Sequence, residues 1–233
     1  MRAVILAGGL GTRLRPYTTV IPKPLVPVGG RPVLEHIIRS LHRSGVRKID
    51  LSVSHLGSLI QVYLSQAQLP EQLELEFHWE NEPLGTAGAL RTVPDLGGTF
   101  LAMNGDILTT LDYAALIRHH EEHEAALTIA MHHKCVDIDL GVIESRDGFV
   151  TGYVEKPTLD YDVSMGIYVY DARSLQYLPE GPCQFPDLVL RLLDAGEPVA
   201  TFMSDAAWYD IGTIEEHERA TRDFELTPEK YEV

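Results

Sequence analysis

The first residues that could do chemistry stand near the amino terminus, where Gly8-Gly9-Leu10-Gly11-Thr12-Arg13 follows the short apolar run from Arg2 to Ala7. Closely spaced glycines let backbone N–H groups approach a ligand and cradle phosphate oxygens. Arg13 comes directly after them, and Lys23 sits between Pro22 and Pro24, whose rings restrict the backbone on both sides. A lysine held this way is a positioned point charge for phosphate, and Arg13 is a forked donor to it. Arg15 reads equally well as a solvated residue. Two carboxylates stand further along, Asp106 at the end of Asn104-Gly105-Asp106 and Asp210 within Trp208-Tyr209-Asp210-Ile211-Gly212. Presented from strand ends, such a pair could hold a hard cation while phosphate oxygens fill its remaining positions, as Mg²⁺ prefers.

Other readings compete at each place. A plain structural turn is the alternative for the glycine loop alone. A dinucleotide-binding fingerprint would want a third glycine where Leu14 stands and an acidic residue after the next strand, and Asp50 with Leu51-Ser52-Val53-Ser54 does not give that pattern. A Walker loop would need Gly-Lys-Ser/Thr, which is absent. His119 and His123 are four apart and could share a helix face, but no third ligand motif lies nearby, so surface histidines are expected. His132 and His133 on a strand would point to opposite faces. Trp79 and Trp208 flank the candidate segments and are expected to pack.

Composition narrows the partners. With 19 Lys+Arg against 34 Asp+Glu, the 233-residue chain carries a formal charge of −15. That excludes a nucleic-acid backbone binder, which needs basic surface to displace counterions, so an anionic substrate must meet a local basic patch. A 45% hydrophobic content allows a sizeable core without disulfides or structural metal. Cys135 and Cys183 lie far apart, with neither a disulfide framework nor a zinc spacing, which fits a reducing cytoplasm. No apolar stretch is long enough to span a bilayer, and Met1 leads straight into a strand-like segment without a leader pattern, so a soluble, unprocessed, cytoplasmic protein is expected. No internal repeat is found.

The elements that must position these groups alternate over the first hundred residues. Strands are expected at Arg2 to Ala7, Lys48 to Val53, Leu73 to Phe77 and Thr99 to Met103, with helices from Pro32 to Ser44, Leu56 to Leu64 and Thr86 to Thr92. Such alternation implies right-handed crossovers and a largely parallel sheet, with ligands beyond the strands' carboxyl ends. The second half reads differently: short strands at Leu127 to His132, Gly141 to Glu144, Val150 to Glu155 and Gly166 to Tyr170 look added and partly antiparallel. A helix from Pro186 to Leu193, a strand from Val199 to Phe202 and a last helix capped by Thr213 with Glu216 follow. We read one domain over residues 1–224, whose second half covers the mouth of the first, and a polar, frayed tail over 225–233.

The motifs in series carry a family resemblance. LAGGLGTRLRPYT followed by PKPLVPVGGRP resembles the signature of the sugar-nucleotide pyrophosphorylases, nucleotidyltransferases that make NDP-sugars from an NTP and a sugar 1-phosphate. The likeness continues in order through EPLGTAGAL, NGD, VEKP, GIYVYD and WYDIGT, so it covers nearly the whole chain. It implies an α/β, Rossmann-like three-layer fold with a mainly parallel mixed sheet of the glycosyltransferase-A-like kind. It also implies Mg²⁺ as cofactor, held by Asp106 and Asp210, with Arg13, Lys23 and Asp106 as the catalytic set.

By the same resemblance, Leu6, Ala7, Gly8, Gly9, Gly11, Thr12, Arg13, Lys23, Glu80, Gly85 and Thr86 bind the nucleotide, with Gly85 against the base. Lys156 would bind the phosphate of the sugar 1-phosphate, with Gly141, Glu155 and Ser164 at the sugar. Glu80 stands where several relatives place a glutamine that reads a pyrimidine. An ionised carboxylate only accepts hydrogen bonds, and guanine's N1–H and N2 amino group form an adjacent donor pair that suits it. EPLGTAGAL is similar to the mannose-1-phosphate guanylyltransferases, so GTP is favoured. Ser164-Met165-Gly166 replaces the Asn-Ala-Gly of many relatives, which opens heptose 1-phosphate beside mannose 1-phosphate. Uridylyl, thymidylyl or cytidylyl transfer, or a non-catalytic NDP-sugar sensor, are the alternatives. The carboxy-terminal β-helix domain of longer relatives is missing, so no acetyl transfer is expected. The expected partners are the NTP and the sugar 1-phosphate, with no nucleic acid or membrane and with a homo-oligomer possible.

Overall fold

The computed structural model describes residues 1–9 and 11–232. Its first half builds β1 (Arg2–Leu6), the two-residue strands β2 (Pro27–Val28) and β3 (Arg31–Pro32), α1 (Val33–Arg43), β4 (Lys48–Val53), α2 (Gly57–Gln66), β5 (Glu74–Trp79), α3 (Gly85–Gly88) and β6 (Thr99–Asn104). The apolar runs of β1 and β6 are buried on both faces, as strands covered by helices on both sides must be. β1 pairs in parallel with β4 and with β6, and β4 with β5. The strand ends therefore gather Leu6, Asn104 and Ser52 at one edge of the sheet, since Leu6 is in register with both Asn104 and Ser52.

The second half continues with β7 (Ile107–Thr109), α4 (Tyr113–Glu122), β8 (Leu127–Asp137), β9 (Val142–Arg146), β10 (Phe149–Val154) and β11 (Thr158–Asp171). It ends in α5 (Phe185–Asp194), β12 (Val199–Met203), β13 (Trp208–Asp210), α6 (Ile214–Leu226) and α7 (Glu229–Glu232). The main sheet has seven strands in the order β12-β8-β11-β6-β1-β4-β5, with β11 antiparallel to both neighbours. The three-layer α/β architecture expected from the sequence is present. Ile5, Met103 and Ile167 face the cluster that α1, α2, α4 and α6 cover, whereas Val4, Phe100 and Tyr168 face α3 and α5. This alternation is the period-two geometry of a strand between two helical layers.

Two expectations are corrected. The strands expected at 127–132 and 166–170 run on to Asp137 and back to Thr158, forming a long ribbon whose inner part is buried in the sheet and whose outer part is exposed. The outer residues are mostly exposed, yet Leu159, Tyr161 and Val163 alternate with Asp160, Asp162 and Ser164, a period-two pattern that marks a strand in the sequence. The second half extends the sheet through β11, β8 and β12. The tail expected to fray is docked: residues 225–226 belong to α6, and Tyr231 of α7 is buried against Phe224, with ring centroids 5.5 Å apart, while its hydroxyl donates to Asp223 at 2.5 Å. Val233 lies outside the described residues. Among the described residues, no helix is long and apolar enough to cross a membrane.

Candidate active site

Lys23 lies in a single 3₁₀ turn, Lys23–Leu25, opened by the extended Pro22. Its Nζ donates to the Asp106 carboxylate and lies 3.4 Å from Asp210 Oδ1. Asp106 follows β6, and Asp210 ends β13 opposite Ile107 of β7, so pairing of two short strands brings together carboxylates over a hundred residues apart. Two backbone bonds lock the corner: Gly105 N–H donates to the Leu6 carbonyl at 2.9 Å, and Ile211 N–H to the Asp106 carbonyl at 3.0 Å. Burial pushes the Asp106 carboxyl above its ordinary range and Asp210 adds like charge, with Lys23 opposing both. Asp106 Oδ1 is buried without a hydrogen-bond partner. An orphaned carboxylate oxygen beside a second carboxylate is a donor set that fits a hard divalent cation.

Arg13 is exposed and approaches the same corner. A Cβ on Gly212 would lie 3.2 Å from an Arg13 guanidinium nitrogen and 3.3 Å from Asp210 Oδ1, so both groups flank that glycine. Gly11 packs against Thr18 and the Lys23 Cβ, and its carbonyl accepts the Thr18 hydroxyl at 2.6 Å. Thr12 is exposed at the start of the next 3₁₀ turn, and Leu10 lies outside the described residues.

Beyond this corner opens a cavity of about 590 Å³. Leu6, Ala7, Gly8 and Gly9 line one side, Glu80 through Pro83 with Gly85 and Thr86 another, and Lys23, Asn104 and Asp106 the floor towards the carboxylates. Thus of the residues expected at the nucleotide, all but Gly11, Thr12 and Arg13 line this cavity. Glu80 is held from behind: Ser52 Oγ donates to Glu80 Oε1 at 2.8 Å, and Leu84 N–H reaches Oε2 at 3.4 Å. A Cβ on Gly8 would sit 3.0 Å from Glu80 Oε1, so the glycine loop and Glu80 face each other closely.

The second half reaches this cavity at one place. Cys183 N–H donates to the Leu84 carbonyl at 2.8 Å, and the Cys183 carbonyl accepts from Ala87 and Gly88 at 3.0 and 2.9 Å. Gly85 has φ +76°, and a Cβ there would stand 2.5 Å from the Cys183 oxygen, so both the backbone and the contact require glycine. Thr86 Oγ1 accepts from Phe185 N–H at 2.9 Å, and Gln184 completes the lining. Ser52, Ser54, Asn104 and Gln184 went unremarked as site residues in the sequence. Strand-end position could have marked Ser52 and Asn104, whereas nothing local marks Gln184.

Among the described residues, none of the four expected at the sugar phosphate lines the cavity. Gly141 and Glu155 are drawn together by Tyr153, whose ring lies against Gly141 and whose hydroxyl donates to Glu155 Oε2 at 2.8 Å. Lys156 follows them, exposed, with φ +45°. Ser164 Oγ donates to the Tyr168 hydroxyl at 3.2 Å and accepts from Gly166 N–H at 3.3 Å. Gly166 in turn lies close against the Asn104 amide, which does line the cavity. Of the histidines, His123 is exposed as expected, but His119 is half-buried, stacked on His123 and edge-on to Phe202.

The family model for nucleotidyl transferases matches residues 2–226. The chain is 32% identical to a UTP–glucose-1-phosphate uridylyltransferase of Synechocystis over 95% of its own length and 63% of the relative's. It is 30% identical to a mannose-1-phosphate guanyltransferase of Schizosaccharomyces pombe over 91% of its length and 61% of that protein's, so it spans about three-fifths of these relatives. The crystal structure of HddC from Yersinia pseudotuberculosis superposes with a TM-score of 0.77 at 30% identity, covering 96% of this chain and 99% of that one. The same protein complexed with GMP-PN gives 0.75. The matched span takes in the glycine loop, Lys23, the 80–88 loop and both aspartates, and the chain belongs to the nucleotidyl transferase family.

Proposed function

We propose that the protein transfers a nucleotidyl group from an NTP, GTP in preference, to mannose or heptose 1-phosphate, releasing pyrophosphate. The observation that carries the reading is the meeting of Lys23 with Asp106 and Asp210, where Lys23 and Asp106 line a cavity walled by the glycine loop and Glu80. An oxygen of the sugar 1-phosphate attacks the α-phosphorus in line, a new P–O bond forms, and the bond to the β-phosphate oxygen breaks with its electron pair leaving on pyrophosphate. No covalent enzyme intermediate is needed, so the protein's part is positioning and charge neutralisation.

Backbone N–H groups of the glycine loop and the charges of Arg13 and Lys23 hold the triphosphate. Lys23 trades its carboxylate partners for phosphate as the nucleotide enters. Lys156 neutralises the attacking phosphate, offsetting repulsion between two anions. Asp106 and Asp210 would hold Mg²⁺, which when bound supplies further neutralisation of phosphate charge. Glu80, aimed by Ser52, accepts from the guanine N–H donors. The HddC complex with GMP-PN supports a guanine nucleotide. A second reading, uridylyl transfer to glucose 1-phosphate, is favoured by the Synechocystis relative.

The test is pyrophosphate release with Mg²⁺, pairing GTP, UTP, CTP, dTTP and ATP with hexose and heptose 1-phosphates. Release with GTP and a manno-configured sugar phosphate, absent in Asp106→Ala, is expected. Release only with UTP and glucose 1-phosphate establishes the second reading. Silence across the panel, with NDP-sugars still raising Tm, overturns both in favour of a sensor.

A further inference from the structure

The exposed end of the β8–β11 ribbon holds side chains that the proposed reaction does not use. His133 and Cys135 alternate along β8 and so share one face of the ribbon. The register sets Asp162 opposite His133 and Asp160 opposite Cys135, which brings two carboxylates to the same face. His133 Nδ1 is 3.2 Å from Asp162 Oδ1, its Nε2 is 3.6 Å from Asp160 Oδ1, and donor atoms of His133, Cys135 and Asp160 all lie within 4.8 Å of one another. In the tautomer that donates from Nδ1 to Asp162, the Nε2 lone pair is available to a metal on the Asp160 side. This is the carboxylate–histidine relay by which metal sites orient an imidazole ligand.

We propose that His133 Nε2, Cys135 Sγ and Asp160 bind Zn²⁺ or a similar borderline divalent cation, with Asp162 orienting the histidine, in a site separate from the reaction corner. One imidazole, one thiolate and one carboxylate suit zinc and do not suit Mg²⁺ or Ca²⁺, which take oxygen ligands. At bond lengths of about 2.0–2.3 Å the donor atoms of a tetrahedral zinc are roughly 3.3–3.8 Å apart, so these exposed side chains need to close by about 1 Å. The thiol proton leaves to solvent as sulfur binds. Charge argues the same way. Among the described residues, no lysine or arginine pairs with Asp160 or Asp162, whereas the comparable cluster of Asp50, Glu76 and His78 is already neutralised by Arg2 and Lys48. Two pairs along, Thr158 opposes Asp137 and leads back to Lys156, so a bound cation would brace the strand from which Lys156 departs.

Titration of the whole reduced chain with Co²⁺ and, by calorimetry, with Zn²⁺ tests this. One equivalent should bind and give a near-ultraviolet thiolate-to-cobalt band. Cys135→Ser should abolish the band, His133→Ala should abolish tight zinc binding, and Asp162→Asn should weaken it about 10- to 100-fold. Absence of a thiolate band, or zinc binding that persists in Cys135→Ser and disappears in Asp106→Ala, overturns the proposal. Because the readout is metal binding, its outcome is independent of whether the chain transfers nucleotides.

Discussion

Lys23 meets two carboxylates, and one of them, the half-buried Asp106, has a buried oxygen that nothing satisfies. A buried oxygen without a hydrogen-bond partner is a cost to folding, accepted where chemistry needs it. Asp106→Ala should therefore lose at least about 10³-fold in turnover, a loss typical of removing a preorganised electrostatic group, while Tm stays level or rises. Retained turnover, or a protein that no longer folds, would sink that role. At Glu80 the expectation concerns selectivity. Glu80→Gln adds a donor where only acceptors stood, so the ratio of kcat/KM for GTP over UTP should fall about tenfold or more, and an unchanged ratio removes Glu80 from base recognition. Both aspartates and Glu80 were legible as candidates because they sit in ordered motifs. Ser52, which aims Glu80, was marked only by its place near the carboxyl end of a strand, and its bond to Glu80 appears only once the neighbouring strand is placed.

The elements of the first half were legible almost residue by residue, because each strand and helix there buries a face with its own period. Lys48 to Val53 is an instance in which the expected and observed strands coincide. β7 and β13 were not, being three-residue strands too short to show a period, yet their pairing alone brings Asp210 to Lys23. The same holds for the Cys183–Gln184 segment, which clamps the 84–88 loop through backbone bonds that no side-chain pattern reports. Gly85→Ala puts a Cβ against the Cys183 carbonyl at a positive φ, and should cost about 3 kcal/mol of stability. Chemical denaturation measures that cost. Nucleotide affinity should fall with it, and an alanine variant as stable as wild type would show that the clamp yields easily.

Across the whole molecule, stability should erode in two steps as acidity rises. Burial holds His120 below its ordinary value, so the folded state favours its neutral form. That contribution is full above about pH 6.5 and is lost as pH falls beneath it. Burial alone would raise Asp50, but hydrogen bonds from Arg2 at 2.6 Å and His78 at 2.7 Å outweigh it and hold the carboxyl low. Its contribution is present above about pH 3.9 and is lost as pH falls through the depressed folded value. Asp50→Asn should cost about 3 kcal/mol near neutrality and flatten the lower step of a Tm-against-pH curve, leaving the upper one. An unaltered lower step would place the acid sensitivity elsewhere.

The central strand β6 pairs with β1 on one side and with β11 on the other. While the chain is being made, β1, β4 and β5 have already left the ribosome when β6 emerges, but the partner for the open side of β6 follows roughly 60 residues later, a wait of about 3–13 s at ordinary elongation rates. Throughout that interval a flat, apolar edge lies bare on the nascent protein, a template for pairing with another chain. The antiparallel insertion that completes the sheet therefore lengthens the time for which this edge stays open during synthesis.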